Sequence, residues 1–212
     1  MKITIPATAK KTIDAYIAEY HLDKKSFYAK LMPVYESIQR EMMSYCDCGG
    51  DDNHMAVINI NLSAGFFALY DVTDRTLTVE KTLELVDKAI PHSIPIITRV
   101  VRNNIKPVAK LLEKHYTTFG AEISAHKAKG EWLGSWDIDI KPFDEVNQSL
   151  SFDLIGCPIV RFAKKYGYMD IMPAICGSDY ITIRQLGAKL IRPETEAEGF
   201  ASCKYTYVAD KK

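Results

Sequence analysis

The amino-acid sequence predicts an α+β fold, with a helical N-terminal half packed with a mostly antiparallel sheet that carries inserted helices in the C-terminal half. Apolar residues recur at helical spacing up to about residue 128, and from Trp132 onward they alternate with other residues. No repeat, low-complexity tract or Ser/Gly linker separates the two regions. A run of helices followed by a run of strands is typical of α+β proteins. We therefore expect a single domain over residues 1–212, with a helical part at about 1–128 and a sheet-containing part at about 129–212.

The helices of the first half follow from apolar spacing and from residues that cap or break a helix. The spacing predicts helices over residues 8–20, 23–45, 60–71, 78–89 and 93–116. Asp23 can cap the second of them, and Thr78 starts the fourth. Pro91 is expected to end the fourth helix, and Pro107 lies inside the fifth pattern, where a proline kinks or splits a helix.

The second half combines strands with two short helices. Residues 132–140 and 150–154 are predicted to form an antiparallel pair across a loop at 142–148. Helices are predicted over residues 157–166 and 172–186, and strands over 189–192 and 202–208. Because side chains alternate along a strand, Cys203, Tyr205 and Tyr207 should share one face, with Lys204 and Thr206 on the other.

Composition and charge exclude several classes of partner and compartment. Lys+Arg and Asp+Glu both number 27, and this balance argues against a nucleic-acid partner, since phosphate contacts require a basic excess. The five cysteines do not form the even, spaced set of a disulfide framework. We expect no signal peptide, because the N-terminus has no apolar stretch long enough for one, and no membrane span, because no run approaches the roughly 20 apolar residues that a span needs. We expect a cytoplasmic protein with free thiols and no membrane partner.

Cys157 is the first candidate for chemistry. Pro158 favours the first position of a helix, which would place Cys157 at the N-cap. Backbone N–H groups and the helix dipole favour an anion there, so a thiolate would be stabilised. Alternatively, the thiol packs at the helix start as a small apolar group.

Cys176 and Asp179 form the second candidate. In a helix these two residues lie three apart and share one face. Asp179 could orient a substrate amine, bind a metal with Cys176, or take and return protons. Alternatively, Ser178 or Asp179 serves only as a helix cap.

The segment that joins the last two predicted strands holds the third group of candidates. Arg192 suits bidentate binding of a substrate carboxylate, or alternatively a structural ion pair or an exposed surface position. Thr195 and Glu198 are polar candidates with weaker support. Gly199 fits a turn that needs a positive φ, and Cys203 fits a core position best.

These residues belong to a longer series with fixed spacings. The series is Cys157, Phe162, Gly167, Pro173, Cys176-x-x-Asp179, Arg192-x-x-Thr195-x-Ala197-x-Gly199 and Cys203-x-Tyr205. Over this last quarter of the chain the sequence resembles the L-2-amino-thiazoline-4-carboxylic acid hydrolase family. The resemblance implies a hydrolase of a small C=N heterocycle that opens 2-amino-thiazoline-4-carboxylate to a carbamoyl-cysteine, on a bacterial route of cysteine biosynthesis. Family members often have Cys-Asp-Phe-Arg in the last strand, whereas this chain has Cys203-Lys204-Tyr205-Thr206.

The leading hypothesis is therefore an enzyme, a hydrolase acting on non-peptide C–N bonds of a small-molecule substrate. Its catalytic residues would be Cys176, Asp179 and Cys157, and its substrate-binding residues Arg192, Thr195 and His92. The alternative is a non-catalytic small-molecule binding or sensor domain that uses the same pocket.

Metal binding is an alternative use of the thiols. No cofactor is predicted, but Cys157, Cys176, Asp179 and Cys203 are a candidate ligand set for a thiolate-bound metal. The segment from Cys46 to His54 also carries metal-ligand residue types. Its turn-forming composition favours an ordinary solvated loop.

Overall fold

The structure, a computed structural model, describes residues 5–90, 101 and 104–210. Its chain divides into two compact units, one formed by Met1–Ile90 with Ile159–Ser178 and the other by Pro91–Pro158 with Asp179–Lys212. The expected division near residue 128 does not coincide with this one. The prediction of a single domain stays a prediction, and each unit is described by itself.

The described helices and strands follow one another in an α+β order, as predicted. In chain order they are α1 (Ala7–Glu19), α2 (Lys24–Cys46), α3 (His54–Val72), α4 (Val79–Ala89), α5 (Lys106–Lys127), β1 (Asp137–Ile140), β2 (Ser149–Ile155), α6 (Pro158–Tyr166), α7 (Met172–Gln185), β3 (Ala188–Ile191) and β4 (Cys203–Ala209). Short 3₁₀ turns cover Gly50–Asp52 and Glu196–Glu198. Both α6 and α7 cross from one unit to the other.

Side-chain caps begin two helices of the first unit, α2 and α4, where the sequence predicts them. The Asp23 carboxylate accepts the Ser26 N–H at 2.9 Å at the start of α2. The Thr78 hydroxyl accepts the Lys81 N–H at 3.2 Å at the start of α4. Both predicted starts are confirmed. The predicted end at Pro91 lies outside the described residues.

The core of the first unit is aromatic and centred on α3. The Phe67 ring stacks on Tyr168 at 4.3 Å and on Phe162 at 6.0 Å between centroids. Gly65 lets α3 approach α1, because a Cβ at this position would lie 2.8 Å from the Cβ of Ala9.

The helix α3 has the length and apolar composition of a membrane span, so the expectation of no such run is wrong for this segment. More than half of the helix is buried, and the core helix of a globular protein has the same length and composition. Length and apolar composition alone do not indicate that α3 is a membrane segment.

The second unit is built on an open, antiparallel four-stranded sheet in the order β1-β2-β4-β3. Its register pairs Leu154 with Cys203 and Ile191 with Thr206. Side chains from α5 and from the last part of α7 cover one face of the sheet and enclose Leu150 and Phe152, which are fully buried. The predicted pairing of β1 with β2 is confirmed.

The helical pattern predicted over residues 93–116 is split before Pro107, as predicted. Val101 is helical, residues 104–105 are not, and α5 begins at Lys106. Pro107 lies in the first turn of α5, where its missing N–H has no helical partner to lose. The helix continues to Lys127, with Phe119 and Ile123 buried in its second half. The part of this pattern at residues 93–100 and 102–103 lies outside the described residues. The interior proline among the described helices is Pro33, in α2.

The predicted first strand is shorter than the alternation of its residues suggests. Trp132 adopts a left-handed conformation with φ 53°, and its ring stacks on His126 at 3.8 Å between centroids. Trp132 and Trp136 are therefore buried by a folded turn, and the strand begins only at Asp137.

Candidate active site

Three polar side chains of the second unit meet in a closed triangle of hydrogen bonds, which we call the Asp179 triangle. Arg192 Nη1 donates to Asp179 Oδ2 at 2.7 Å and to the Tyr205 hydroxyl at 3.0 Å. The Tyr205 hydroxyl in turn donates to the same Oδ2 atom at 3.0 Å. One carboxylate oxygen therefore holds both donors.

The sheet register explains why Arg192 and Tyr205 are neighbours. Arg192 directly follows β3, and Tyr205 lies in β4. The last registered pair is Ile191 with Thr206, so Arg192 and Tyr205 lie next to each other across the two strands. Asp179 comes from α7, which packs on this end of the sheet within the unit.

Arg192 is held almost completely inside the protein, with 3% of its side-chain surface exposed. Its guanidinium carbon lies 5.0 Å from the ring centroid of Tyr180 and 5.1 Å from that of Tyr205. The Tyr180 hydroxyl donates to the backbone carbonyl of Arg192 at 3.1 Å. Arg192 thus forms an ion pair with a carboxylate of its own chain. A structural ion pair was one of the alternatives that the sequence allowed for this residue.

Asp179 is the member of the triangle that reaches solvent, with 42% of its side-chain surface exposed. Loss of hydration raises the pKa of the Asp179 carboxyl, whereas the charge of Arg192 and the hydrogen bonds from Tyr205 and Arg192 lower it. The net direction is upward, and the exposed part of the side chain limits the rise. A carboxylate with a raised pKa is a better proton acceptor at neutral pH than an ordinary surface aspartate.

Tyrosines form a layer around the triangle. Burial raises the pKa of Tyr205 well above its usual range, and burial also raises the pKa values of Tyr116 and Tyr207, which hydrogen-bond each other. All three phenols are therefore protonated at neutral pH. Tyr205 can act as a hydrogen-bond donor to Asp179 throughout the physiological pH range.

Cys203 adjoins this triangle, two residues before Tyr205 in β4. Its thiol is buried, and its sulfur accepts the Glu196 backbone N–H at 3.3 Å. Burial raises the pKa of Cys203, the Glu196 N–H and the charge of Arg192 lower it, and the charges of Glu196 and Asp179 raise it. Cys203 is thus within electrostatic range of both charged members of the triangle.

Glu196 supplies the anion that the sequence analysis expected from the Cys157 thiolate. Its two carboxylate oxygens accept the N–H groups of Gly156 at 2.6 Å and Cys157 at 2.9 Å. Gly156 has φ 75°, and successive N–H groups around such a residue form an anion-binding nest. Cys157 does precede the first residue of α6, as predicted, but its backbone N–H binds the Glu196 carboxylate.

Thr195 and Gly199 shape the loop between β3 and β4. The Thr195 hydroxyl donates to the Glu198 carboxylate at 2.8 Å and accepts the Glu198 N–H at 3.3 Å, which caps the 3₁₀ turn. Gly199 ends that turn with φ 96°, as its predicted turn role requires. Thr195 as a substrate-binding residue stays a prediction, since the structure gives its hydroxyl a capping role.

Cys176 belongs to the first unit, and the chain passes to the second unit directly before Asp179. The joint role of Cys176 and Asp179 therefore stays a prediction. The alternative that Ser178 or Asp179 caps a helix is wrong, because both residues lie inside α7. His92 lies outside the described residues.

Metal binding finds no support in residues 5–90, 101 and 104–210. No group of three or more His, Cys, Asp or Glu side chains in this part of the chain is arranged to hold a metal ion. Cys157, Asp179 and Cys203, which belong to one unit, therefore do not form a metal centre there, and the full set with Cys176 stays a prediction. The loop after α2 is less solvated than predicted, because the Cys46 and Cys48 thiols are buried.

Two of the three departures from the family's Cys-Asp-Phe-Arg, Lys204 and Thr206, lie on the face of β4 opposite Tyr205, as the alternation predicts, and the third is Tyr205 itself. Lys204 is exposed and pairs with Glu194 at 2.8 Å. The Thr206 hydroxyl lies 2.9 Å from that of Ser151 on the neighbouring strand. Neither side chain contacts the Asp179 triangle.

Sequence reasoning missed Glu196 and Tyr180 as residues of this region. The Glu196 contacts join residues about 40 positions apart, so no local pattern predicts them. Tyr180 is adjacent to Asp179 and was within the segment of interest, but its packing on Arg192 depends on the sheet. The alternation along β4 was the signal for Tyr205.

A small apolar cavity of about 20 Å³ lies in the same unit, and it is lined by side chains that include Ile105, Ile183 and Tyr207. This volume holds about one water molecule. The cavity is therefore not the place where a polar heterocycle would bind.

Comparison with known proteins identifies a family. The model of the L-2-amino-thiazoline-4-carboxylic acid hydrolase family matches residues 55–207, nearly three quarters of the chain. The matched region includes the complete Asp179 triangle, Cys203 and Glu196. No curated protein and no solved structure matched the chain.

Proposed function

The chain belongs to the L-2-amino-thiazoline-4-carboxylic acid hydrolase family, and from this premise we propose that it hydrolyses a small C=N heterocycle of that type to a carbamoyl-cysteine. The proposal puts the chain in cysteine biosynthesis. The family name supports the reaction class, and the substrate and product are our proposal.

One observation carries the proposal. Asp179 is a partly exposed carboxylate with a raised pKa, and one of its oxygens is fixed by Arg192 and Tyr205. Opening the ring requires a proton to leave the attacking group and a proton to reach the departing ring atom. We assign both transfers to Asp179, whose orientation is set by the two donors.

Arg192 has a positioning role in this proposal. Its buried guanidinium holds Asp179 Oδ2 in place and keeps positive charge beside the carboxylate when that group is ionised. Replacing Arg192 with lysine would keep the charge but lose the planar guanidinium that packs against the rings of Tyr180 and Tyr205.

The test measures turnover of L-2-amino-thiazoline-4-carboxylate by following the product with liquid chromatography and mass spectrometry. Asp179→Asn should lower kcat by about 10²–10⁴-fold, the usual contribution of a general acid–base group. Asp137→Asn is the matched control, since Asp137 lies in the same unit and pairs with Lys127 at 2.7 Å on the surface. Equal activity of the two variants would refute the role of Asp179.

A non-catalytic binding domain is the second candidate, and one observation favours it. Arg192 already pairs with Asp179, so the cation expected to bind a substrate carboxylate is engaged within the chain. In that case calorimetry would show that the heterocycle binds and that Asp179→Asn raises its Kd. The purified protein would release no product.

A further inference from the structure

We infer that Cys203 is the thiol that attacks the substrate in the proposed reaction and that Glu196 is the residue that positions this thiol. The inference rests on the proposed function and adds its nucleophile. It differs from the expectation from the sequence, which favoured Cys176 and Cys157 and treated Cys203 as a core residue.

The position of Cys203 is the first argument. Cys203 and Tyr205 share one face of β4, and Tyr205 binds Asp179. Residues two apart along a strand are separated by about 7 Å, so the Cys203 thiol lies beside Tyr205, whose hydroxyl binds Asp179. A small heterocycle bound at Asp179 would therefore lie near this sulfur.

The state of the thiol is the second argument. Burial keeps Cys203 protonated at neutral pH, and a neutral thiol is a poor nucleophile that needs a base. Asp179, with its raised pKa, is that base. The Glu196 N–H, which points at the sulfur from 3.3 Å, stabilises the negative charge that develops when the proton leaves.

Glu196 fixes the geometry of this thiol through all of its polar groups. Its carboxylate binds the N–H groups of Gly156 and Cys157, and its carbonyl accepts the Gly199 N–H at 3.1 Å. These contacts hold the Glu196 backbone in place, so its N–H stays directed at Cys203. Glu196 does not contact substrate in this scheme and acts only through the thiol.

The chemical steps balance without an oxidant or a reductant. The Cys203 thiol gives its proton to Asp179, its sulfur bonds to the C=N carbon, and the bond from that carbon to the ring sulfur breaks. Asp179 returns the proton to the departing ring sulfur, which leaves an isothiourea on Cys203. Water then adds to the same carbon, the bond to Cys203 breaks with return of a proton to its sulfur, and the carbamoyl-cysteine is released.

The first experiment labels the full chain with 2-chloroacetamidine, an amidine electrophile, and measures each cysteine by peptide mass spectrometry. Cys203 should react at least about ten times faster than the other four cysteines. Asp179→Asn should slow the labelling of Cys203 alone, because losing the base outweighs losing a negative charge that disfavours the thiolate. Fastest labelling at Cys157 or Cys176, or a Cys203 rate that does not depend on Asp179, would overturn the assignment.

The second experiment tests Glu196 with the pH profile of Cys203 labelling. Glu196→Gln removes the charge that disfavours the thiolate, so the profile should shift to lower pH, while kcat for the heterocycle falls because the anchor is weakened. Glu194→Gln is the matched control, since this residue lies in the same loop and pairs with exposed Lys204. An unshifted profile in Glu196→Gln, or an equal shift in the control, would refute the positioning role.

Failure of this inference can be told apart from failure of the proposed function. If Cys203→Ala retains turnover of the heterocycle, the hydrolase survives and the thiol assignment fails. If the protein releases no product but Cys203 is still labelled first in an Asp179-dependent manner, the substrate is wrong and the reactive thiol stands. Thermal unfolding of each variant separates loss of chemistry from loss of fold.

Discussion

Replacing Arg192 with methionine should destabilise the protein in a pH-dependent manner. Methionine keeps much of the apolar stem of arginine but removes the charge and both hydrogen bonds to the triangle. Removing one partner of a buried ion pair costs about 3–5 kcal/mol. Asp179 keeps 42% of its side-chain surface in water, so we expect a smaller loss, about 2 kcal/mol at pH 7 after this discount for solvent screening.

The pH dependence follows from the protonation of Asp179. Burial raises the pKa of this carboxyl above its unfolded value, and Arg192 lowers it. Without Arg192 the folded-state pKa rises further, so the ionised form destabilises the fold more as pH increases through that pKa. Below that pKa the Asp179 carboxyl is neutral in both the parent protein and the Arg192→Met variant, and the ion pair is absent. The penalty of Arg192→Met should therefore be larger at pH 7 than at pH 4.

Urea unfolding followed by tryptophan fluorescence measures this difference. For a chain of this size each kcal/mol corresponds to about 2–4 °C in Tm, so thermal unfolding provides a second measurement. Lys127→Met is the matched control, because its ion pair with Asp137 is exposed and should contribute at most about 1 kcal/mol. If the penalty of Arg192→Met were the same at both pH values, packing against the tyrosines would explain it and the charge argument would be refuted.

Three further substitutions test the packing and the caps, each by urea unfolding. Gly65→Ala should cost about 1–3 kcal/mol, because the new Cβ would lie 2.8 Å from that of Ala9, and an unchanged stability would contradict the close approach of α1 and α3. Phe152→Ala should cost about 3–5 kcal/mol because the ring is fully buried, and a loss under 1 kcal/mol would place it outside the core. Thr195→Ala should cost about 1 kcal/mol through loss of the cap on Glu198, whereas Thr195→Ser should retain most of it.

The sequence predicted those parts of the fold that depend on near neighbours. Asp23 and Thr78 accept N–H groups three residues along the chain, and this spacing is visible without a structure. The alternation in β4 likewise placed Tyr205 and Lys204 on opposite faces. These features are encoded within one or two turns or along one strand, so tertiary packing does not change them.

The parts that the sequence could not predict depend on contacts between distant segments. Arg192 suits a carboxylate in general, but only the position of α7 beside β3 determines that this carboxylate is Asp179. Glu196 looked like one acid among several in a charged loop, yet it binds the N–H groups of Gly156 and Cys157.

The family residues in the loop between β3 and β4 hold the loop together more than they reach outward. Thr195 caps the 3₁₀ turn, Gly199 ends it, and Arg192 is buried against its own partners. Loop geometry therefore accounts for the spacing of Arg192, Thr195 and Gly199. Only a few residues of this series would need to contact a substrate. Of the triangle and its neighbours, Asp179 alone combines a charge, a raised pKa and a side chain that is nearly half exposed. We therefore expect chemistry in this unit to begin at Asp179, with Arg192, Tyr205 and Glu196 fixing the groups that surround it.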